Sequence, residues 1–293
     1  MFLPSLIGLI LFTLAVIHAL IDGKNNRLQR ILMLASLFVF GILLEYIGII
    51  SGHHYYATEV IMILEVVPLS IPLAWVGIIY SAMIIGERLD LTLWMRILTS
   101  TLIALSLDWG MDPIAVELEL WTWVHGGSFF GVPSFNFIGW FIIPIAYLLS
   151  YSMNWNKEGR KLEILSINQI DNHNTIRRKL YTIFLVVPIA LTFMTVTSLI
   201  TLIPVIYNLP VVIVIIWEIL TVSISSWMII KRRSGLGRSQ WFDLIPPFIL
   251  LFIACDYAFL GFLINQVLMG IIMLITGIPF LLALIFTLQK KRK

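Results

Sequence analysis

Two carboxylates four residues apart, Asp108 and Asp112, open the segment of this sequence whose residue types could do chemistry. They lead into a connection rich in tryptophan and glycine that ends near Trp140. An acidic side chain is costly close to a lipid bilayer, so in an apolar chain it indicates function. Burial without a cationic partner favours the neutral form of a carboxyl group, and a neutral acid can give a proton to an apolar substrate. We predict this chemistry for Asp108.

Other acidic residues fall within or beside apolar runs that the sequence places on separate helices. They are Glu45, Glu65, Glu218 and Asp256. Counting along the predicted helices at about 1.5 Å per residue puts most of them at one depth with Asp108, away from every lysine and arginine. Glu45 and Asp108 are the preferred functional candidates. For Glu218 and Asp256, a hydrogen-bonded polar group between helices remains an alternative.

Asp112 has a competing interpretation, because Pro113 follows it. An aspartate before a proline is typical of a helix N-cap with proline in the first turn. The sequence therefore also predicts a short interfacial helix from Asp112 through Trp121, ending at Gly126. Acidic residues near the basic connections, Asp22, Glu87 and Asp243 among them, are predicted to be ordinary solvated charges.

Aromatic side chains admit two interpretations as well. Trp75 and Trp109 lie close to acidic segments and are predicted to line a pocket, where their ring faces could stabilise a cation. Interfacial anchoring is the preferred role for the other tryptophans of this half, which are Trp121, Trp123, Trp140 and Trp217. The pair His53 and His54 is predicted to lie at the surface, and no metal site is expected.

Composition identifies the elements that must position these residues as membrane helices. Hydrophobic residues make up 60% of the 293 residues and charged residues 12%, and the mean hydropathy is +0.99. A helix that crosses a bilayer needs about 20 apolar residues. We predict an all-α, polytopic membrane helix bundle of about nine transmembrane helices, with eight possible. The apolar runs lie near 2–21, 31–50, 60–85, 93–109, 134–152, 179–203, 209–230, 244–263 and 267–288.

The basic residues predict the orientation of this bundle. The 19 lysines and arginines fall in alternate connections and the tail, near 24–30, 88–96, 157–179, 231–238 and 290–293. By the positive-inside rule the N-terminus is outside, the C-terminus is cytoplasmic, and the carboxylates lie in the outer half of the bilayer. A net charge of +3 then reflects contact with membrane lipids, and no nucleic-acid partner is expected.

A single integral membrane domain over 1–293 is predicted, since no connection is long enough to fold separately. The longest connection, 153–178, is polar and predicted to be a cytoplasmic loop that precedes the C-terminal helices of 179–293. No internal repeat is visible, which disfavours transporters built from duplicated halves. The protein is expected in the cell membrane as a multi-pass chain.

The spacing of Asp108 and Asp112 matches the DxxxD arrangement with which membrane prenyltransferases hold magnesium diphosphate. Those enzymes combine several such carboxylates with nearby lysine or arginine. Here the pair stands alone on the side without basic residues. A prenyltransferase is therefore a weaker interpretation than acid catalysis.

Several clusters together resemble the CruF-type carotenoid hydratases, the family that includes bisanhydrobacterioruberin hydratase. The resemblance covers about residues 41–145. Its clusters are Glu45–Gly48, Ser51–Gly52, Val67–Trp75, Asp108, Asp112–Pro113, Trp121–Trp123 and Gly131–Trp140. Residues 51–59 look shorter and richer in histidine than the family loop, and Glu65 replaces a small residue. The last four helices carry no matching pattern.

The resemblance implies addition of water to the terminal C=C bond of an acyclic carotenoid, bisanhydrobacterioruberin-like or lycopene-like, without a cofactor. Protonation would give a tertiary carbocation that water captures. Asp108 is then the expected proton donor, and Glu45 or Asp112 would orient water. The expected substrate-binding residues are Trp75, Trp109, Asn136, Glu65, Asp256 and Glu218. The expected partners are the lipophilic carotenoid, water and membrane lipids, and association with other enzymes of the carotenoid pathway is a further expectation.

Two further classes remain open at this point. A lycopene cyclase uses the same protonation, but an internal double bond captures the cation. A proton-coupled transporter could use the carboxylates as a relay, yet it would need acids in the cytoplasmic half of the helices, and the sequence has almost none.

Overall fold

The computed structural model describes residues 3–22, 27–165, 185–196, 209–236 and 240–289. They form a helical bundle with two small two-stranded sheets. The helices are α1 (Leu3–Asp22), α2 (Arg27–Ile50), α3 (Ser70–Arg88), α4 (Leu93–Glu117), α5 (Ser134–Leu165), α6 (Leu185–Val196), α7 (Val211–Lys231), α8 (Arg233–Leu236), α9 (Ile245–Leu263), α10 (Val267–Thr276) and α11 (Ile278–Leu288). The strands are β1 (His54–Tyr56), β2 (Met62–Ile63), β3 (Val67–Pro68) and β4 (Trp121–Trp123).

Six described segments are long and apolar enough to cross a membrane. They are Arg27–Ile50, Ser70–Arg88, Ser134–Ser152, Val211–Lys231, Trp241–Leu263 and Val267–Leu288. The last comprises α10 and α11, which are separated at Gly277. Together with the shorter apolar helices near the N-terminus and at α6, they confirm a membrane helix bundle. Parts of the predicted run 179–203 and of the loop 153–178 lie outside the described residues, and α5 extends into that loop as far as Leu165.

Helix α4 is the central helix of the bundle. Every residue from Thr99 to Ala115 on it is buried, and it packs against α3, α5, α7, α9 and α10. At Gly110 the contact with α10 is so close that an added Cβ would come within 2.7 Å of the sulfur of Met273. Because its neighbours are helices, α4 can carry buried polar residues that a lipid-facing helix could not.

The predicted N-cap at Asp112 is wrong, since α4 continues through Pro113 to Glu117. A proline inside a helix removes one backbone hydrogen bond and crowds the carbonyl group of the preceding turn, and the packed surroundings of α4 hold the helix together at that point. The predicted interfacial helix toward Trp121 is wrong for a related reason. Residues 121–123 alternate aromatic and β-branched side chains, which favour a strand, and they pair as β4.

Strand β4 pairs antiparallel with β1, which brings two distant connections together. His54 lies opposite Trp123, and Tyr56 lies opposite Trp121. The predicted apolar run 60–85 is likewise divided: residues 62–68 form the β2–β3 hairpin, and the helix begins at Ser70. Its many β-branched residues favour strand pairing over a helical turn.

The opposite end of the bundle holds an ion-pair cluster, which we call the arginine cluster. It consists of Asp22, Arg30, Glu87, Arg88 and Asp243. The prediction of ordinary solvated charges is wrong for its acids, because the Asp243 side chain is only 2% exposed and the Asp22 side chain 11%. The cluster ties α1, α2 and α3 to the short 3-10 helix before α9.

Candidate active site

A cavity of about 350 Å³ lies beneath the β1–β4 sheet, between α2, α3, α4 and α5. Its polar lining includes Glu45, His54, Tyr56, Asp112 and Asn136. The walls are otherwise mainly apolar and aromatic, and no lysine or arginine belongs to the lining of this cavity in the described chain. Glu45 and Arg30 are fifteen residues apart on α2, so the cavity lies about 20 Å from the arginine cluster.

Glu45 is held by three hydrogen-bond partners on one wall of the cavity. Its Oε1 accepts a hydrogen bond from the indole N–H of Trp75 at 2.5 Å, and its Oε2 accepts one from the hydroxyl of Tyr56 at 2.6 Å. The Nε2 atom of His54 lies 3.1 Å from the same Oε2. An ionised carboxylate is an acceptor only, and these three groups can all donate to it. The wall is therefore arranged around a carboxylate anion.

Strand β1 supplies two of those partners. Burial, followed by the nearby charge of Glu45, holds the pKa of Tyr56 well above its usual range, so its phenol remains a donor. His54 is 9% exposed, and its second ring nitrogen, Nδ1, has no hydrogen-bond partner among the residues described. Next to it, burial, followed by the neighbouring imidazoles of His54 and His125, lowers the pKa of His53.

The facing wall carries the aspartate pair of α4. Nδ2 of Asn136 donates to Oδ2 of Asp112 at 2.5 Å and to Oδ2 of Asp108 at 3.0 Å. Because the same amide nitrogen donates to both, the two carboxyl groups lie close together. Asp112 lines the cavity, whereas Asp108 is fully buried behind it. Two adjacent carboxylates repel strongly in such a place, which favours one shared proton.

Stacked indole rings form an aromatic wall. The rings of Trp75 and Trp140 lie 4.2 Å apart at 24°, and both line the cavity. Trp109 is placed differently: it stacks on Phe137 at 4.1 Å and does not line the cavity. The structure thus brings Trp75 to the site and leaves Trp109 in the packing between α4, α5 and α7, where Trp217 also contacts it.

A smaller cavity of about 130 Å³ adjoins the first and shares part of its wall, including Tyr56 and Tyr257. Asp256 lines this second cavity together with Glu59 and Ser70. The Ser70 hydroxyl donates to Glu59 at 2.6 Å.

Besides Asp108 and Trp109, two more of the predicted site residues line neither cavity. Glu65 is exposed at the turn of the β2–β3 hairpin, with φ of 66°. Glu218 is buried on α7 but belongs to neither lining. The placement of Glu65 in a helix is wrong, because α3 begins only at Ser70.

Sequence reasoning underrated His54, Tyr56, Trp140 and Tyr257. The histidine and tyrosine of β1 read as surface residues, since the strand pairing that turns them inward links residues more than sixty positions apart. A signal was present: a polar, aromatic cluster directly follows the helix that carries Glu45. Among the described residues, no group of three or more histidine, cysteine, aspartate or glutamate side chains could hold a metal ion.

Comparison with protein-family models gives a match over residues 5–217, to the family described as carotenoid biosynthesis protein. The chain belongs to this family. No curated protein and no solved structure matches it. The resemblance to carotenoid biosynthesis enzymes that the motifs indicated is thereby confirmed at the level of the family.

Membership of the carotenoid biosynthesis protein family supports an enzyme of that pathway, with a role in making carotenoids. The matched residues include all of the lining of the larger cavity except Tyr257. Asp256 and Glu218 lie beyond the match. The larger cavity is therefore the site that belongs to the family segment.

Proposed function

We propose that this protein is a carotenoid hydratase that adds water to the terminal C=C bond of an acyclic carotenoid. One observation carries the proposal. An acid, Asp112, faces a polar wall built around Glu45 across a cavity whose other walls are apolar and aromatic. Proton transfer to an alkene followed by capture of water needs an acid on one side of the substrate, a polar group that holds water on the other side, and apolar walls. It needs no cofactor.

We assign the role of proton donor in this reaction to Asp112. It lines the cavity and accepts a hydrogen bond from Asn136, whereas Asp108 is fully buried, so Asp112 is the member of the aspartate pair that can reach a substrate. Asp108 acts through Asp112 as a positioning residue. This assignment exchanges the roles that the sequence suggested for the two residues.

The carbocation would form beside the aromatic wall. Protonation at the less substituted alkene carbon leaves the positive charge on the tertiary carbon. The faces of Trp75 and Trp140 attract such a cation, with about 0.5–2 kcal/mol expected for each favourable contact. The Glu45 carboxylate on the same wall adds a fixed negative charge in a space shielded from bulk water.

The size and position of the cavity suit one end of a long polyene. Pockets of about 300–1,000 Å³ enclose a ligand of drug size, so a volume of this order takes an end group and not a whole carotenoid. Ile142 and Ile143 on α5 and Thr195 on α6 also line the space, and Thr195 is exposed. The remaining polyene would pass between these two helices into the lipid.

The proposal includes the membrane arrangement that the basic residues favour. About nine spans would place the N-terminus outside and the C-terminus in the cytoplasm of a multi-pass cell-membrane protein. The cavity would then lie in the outer half of the bilayer. Further pathway enzymes are proposed as partners, since their products and substrates share the same lipid phase.

Expression in a host that accumulates acyclic carotenoids tests the function. We expect pigments that gain the mass of one water molecule for each reacted end group, measured by liquid chromatography and mass spectrometry. Hosts making C40 and C50 carotenoids should both be used, because the chain length of the substrate is a separate matter.

A product with altered absorption and unchanged mass would instead indicate cyclisation. Pigments left unchanged in both hosts, with the protein present in the membrane fraction, would overturn the proposed function.

A further inference from the structure

His54 has one ring nitrogen that contacts Glu45 and one that has no hydrogen-bond partner in the described chain. Its Nε2 contacts Glu45 at 3.1 Å, and its Nδ1 is a buried polar atom without a hydrogen-bond partner among the described residues. The side chain lines the larger cavity, and about nine-tenths of the residue is buried. A buried polar atom without a partner is uncommon and calls for an explanation, such as a bound water or a catalytic role.

We propose that Glu45 and His54 form a base dyad in which His54 Nδ1 accepts the proton of the water that captures the carbocation. This inference rests on the proposed function and assigns the second half of its reaction. Glu45 is then a positioning residue and His54 the catalytic one, since the proposal assigns the contact with the reacting water to Nδ1.

The tautomer follows from the partners. Glu45 can only accept when ionised, so the proton of a neutral imidazole lies on Nε2, and Nδ1 carries the lone pair. Hydrogen bonds from Trp75 and Tyr56 fix the carboxylate, and the carboxylate fixes the ring. A carboxylate behind an imidazole also stabilises the imidazolium that forms when the ring takes up a proton.

The reaction balances with water as the sole co-reactant. The O–H bond of Asp112 breaks, and its proton forms a C–H bond at the less substituted alkene carbon. The oxygen of water forms a C–O bond to the tertiary cation, and one of its O–H bonds breaks as the proton moves to His54 Nδ1. That proton then leaves to solvent, and solvent returns one to Asp112, so the net change is alkene plus water to tertiary alcohol.

The backbone next to Glu45 leaves space for the imidazole. A Cβ added at Gly48, one turn after Glu45 on α2, would lie 2.7 Å from Cε1 of His54. Real Cβ atoms do not approach so closely, so any side chain at this position must displace the ring. Glycine at residue 48 is therefore a second determinant of where Nδ1 points.

Turnover in D₂O separates protonation from water capture. The wild type should give a deuterated alcohol. With His54→Gln, we expect hydration to fall about 100-fold or more, the usual contribution of a general base. Deuterium should continue to enter the recovered alkene, because the cation still forms at Asp112 and reverts by losing a proton. Mass spectrometry of product and recovered substrate gives both rates.

His125→Gln is the matched control, since His125 is exposed on the connection after β4 and lines neither cavity. It should hydrate at the wild-type rate. Hydration at that rate by His54→Gln would overturn the dyad alone. Loss of both hydration and exchange, in a variant whose gel-filtration profile and melting temperature match the wild type, would also overturn it. No hydration by the wild type would overturn the proposed function itself.

Gly48→Ala tests the dyad without changing a polar group. We expect the same pattern as for His54→Gln, a large loss of hydration with exchange retained, because the methyl group pushes the imidazole from its place. Gly77→Ala on α3 is the control, since its added Cβ would meet no atom closer than 3.7 Å. Full hydration by Gly48→Ala would contradict the position assigned to Nδ1.

Discussion

Asp112→Asn is expected to reduce hydration by about 100- to 10,000-fold, the range that a positioned general acid contributes. The substitution keeps the shape of the side chain, and its amide oxygen can still accept the hydrogen bond from Asn136. Only the transferable proton is lost. Conversion of an acyclic carotenoid by membranes that contain equal amounts of each protein measures the effect.

The substitution Asp108→Asn tests whether Asp108 donates the proton itself or only positions Asp112. We expect a smaller loss, about 10- to 100-fold, because one hydrogen bond to a charged group is worth about 1.5–3 kcal/mol. Asp90→Asn is a control with the same chemistry at an exposed residue, where asparagine tolerates the observed φ of 55°. A larger loss at residue 108 than at residue 112 would make Asp108 the donor, as the sequence alone suggested.

The second large effect concerns stability and the arginine cluster. Arg88→Gln should destabilise the protein by about 3 kcal/mol, the lower end expected when a buried ion pair loses one partner. Arg88 contacts Asp243 at 2.8 Å and Asp22 at 2.5 Å. Asp22 keeps Arg30, but Asp243 is 2% exposed and would lose its only arginine contact in the described chain, while Arg88 is itself a quarter exposed.

Thermal unfolding in detergent measures this change. A loss of this size corresponds to a melting temperature lower by on the order of 10 °C for a chain of this length. Arg232→Gln removes the same kind of side chain at an exposed position after α7 and should leave the melting temperature unchanged. An unchanged value for Arg88→Gln would show that water replaces the ion pairs without cost.

Much of the fold was readable from the sequence because a bilayer restricts the choices. Apolar runs of sufficient length gave the approximate limits of α2, α7 and α9, and no other backbone arrangement satisfies its hydrogen bonds in lipid as simply. The limits failed where the chain leaves that environment. Residues 60–69 are as apolar as a helix, but residues 62–68 form the β2–β3 hairpin.

The sequence allowed the carboxylates of the site to be named, but it did not predict which residues contact each of them. Glu45 and Asp112 could be named because an acid is costly in an apolar run. Glu45 is surrounded by hydrogen-bond donors that include Tyr56 and His54, whereas Asp112 pairs with Asp108 through Asn136. These partner residues come from other elements of the fold. Those contacts arise from strand pairing and helix packing, and neither has a local sequence signal.

Because C-terminal helices surround α4, they influence the electrostatic environment of its two aspartates. Helices α9 and α10 lie beyond the segment that matches the family, yet both pack directly on the helix that carries the aspartate pair. These two helices exclude lipid headgroups, ions and bulk water from the surroundings of the acids. The local dielectric constant therefore stays low, and electrostatic interactions in the cavity are stronger. A shortened chain that ends after α7 would retain nearly every reacting group and lose the low-dielectric medium in which those groups can act.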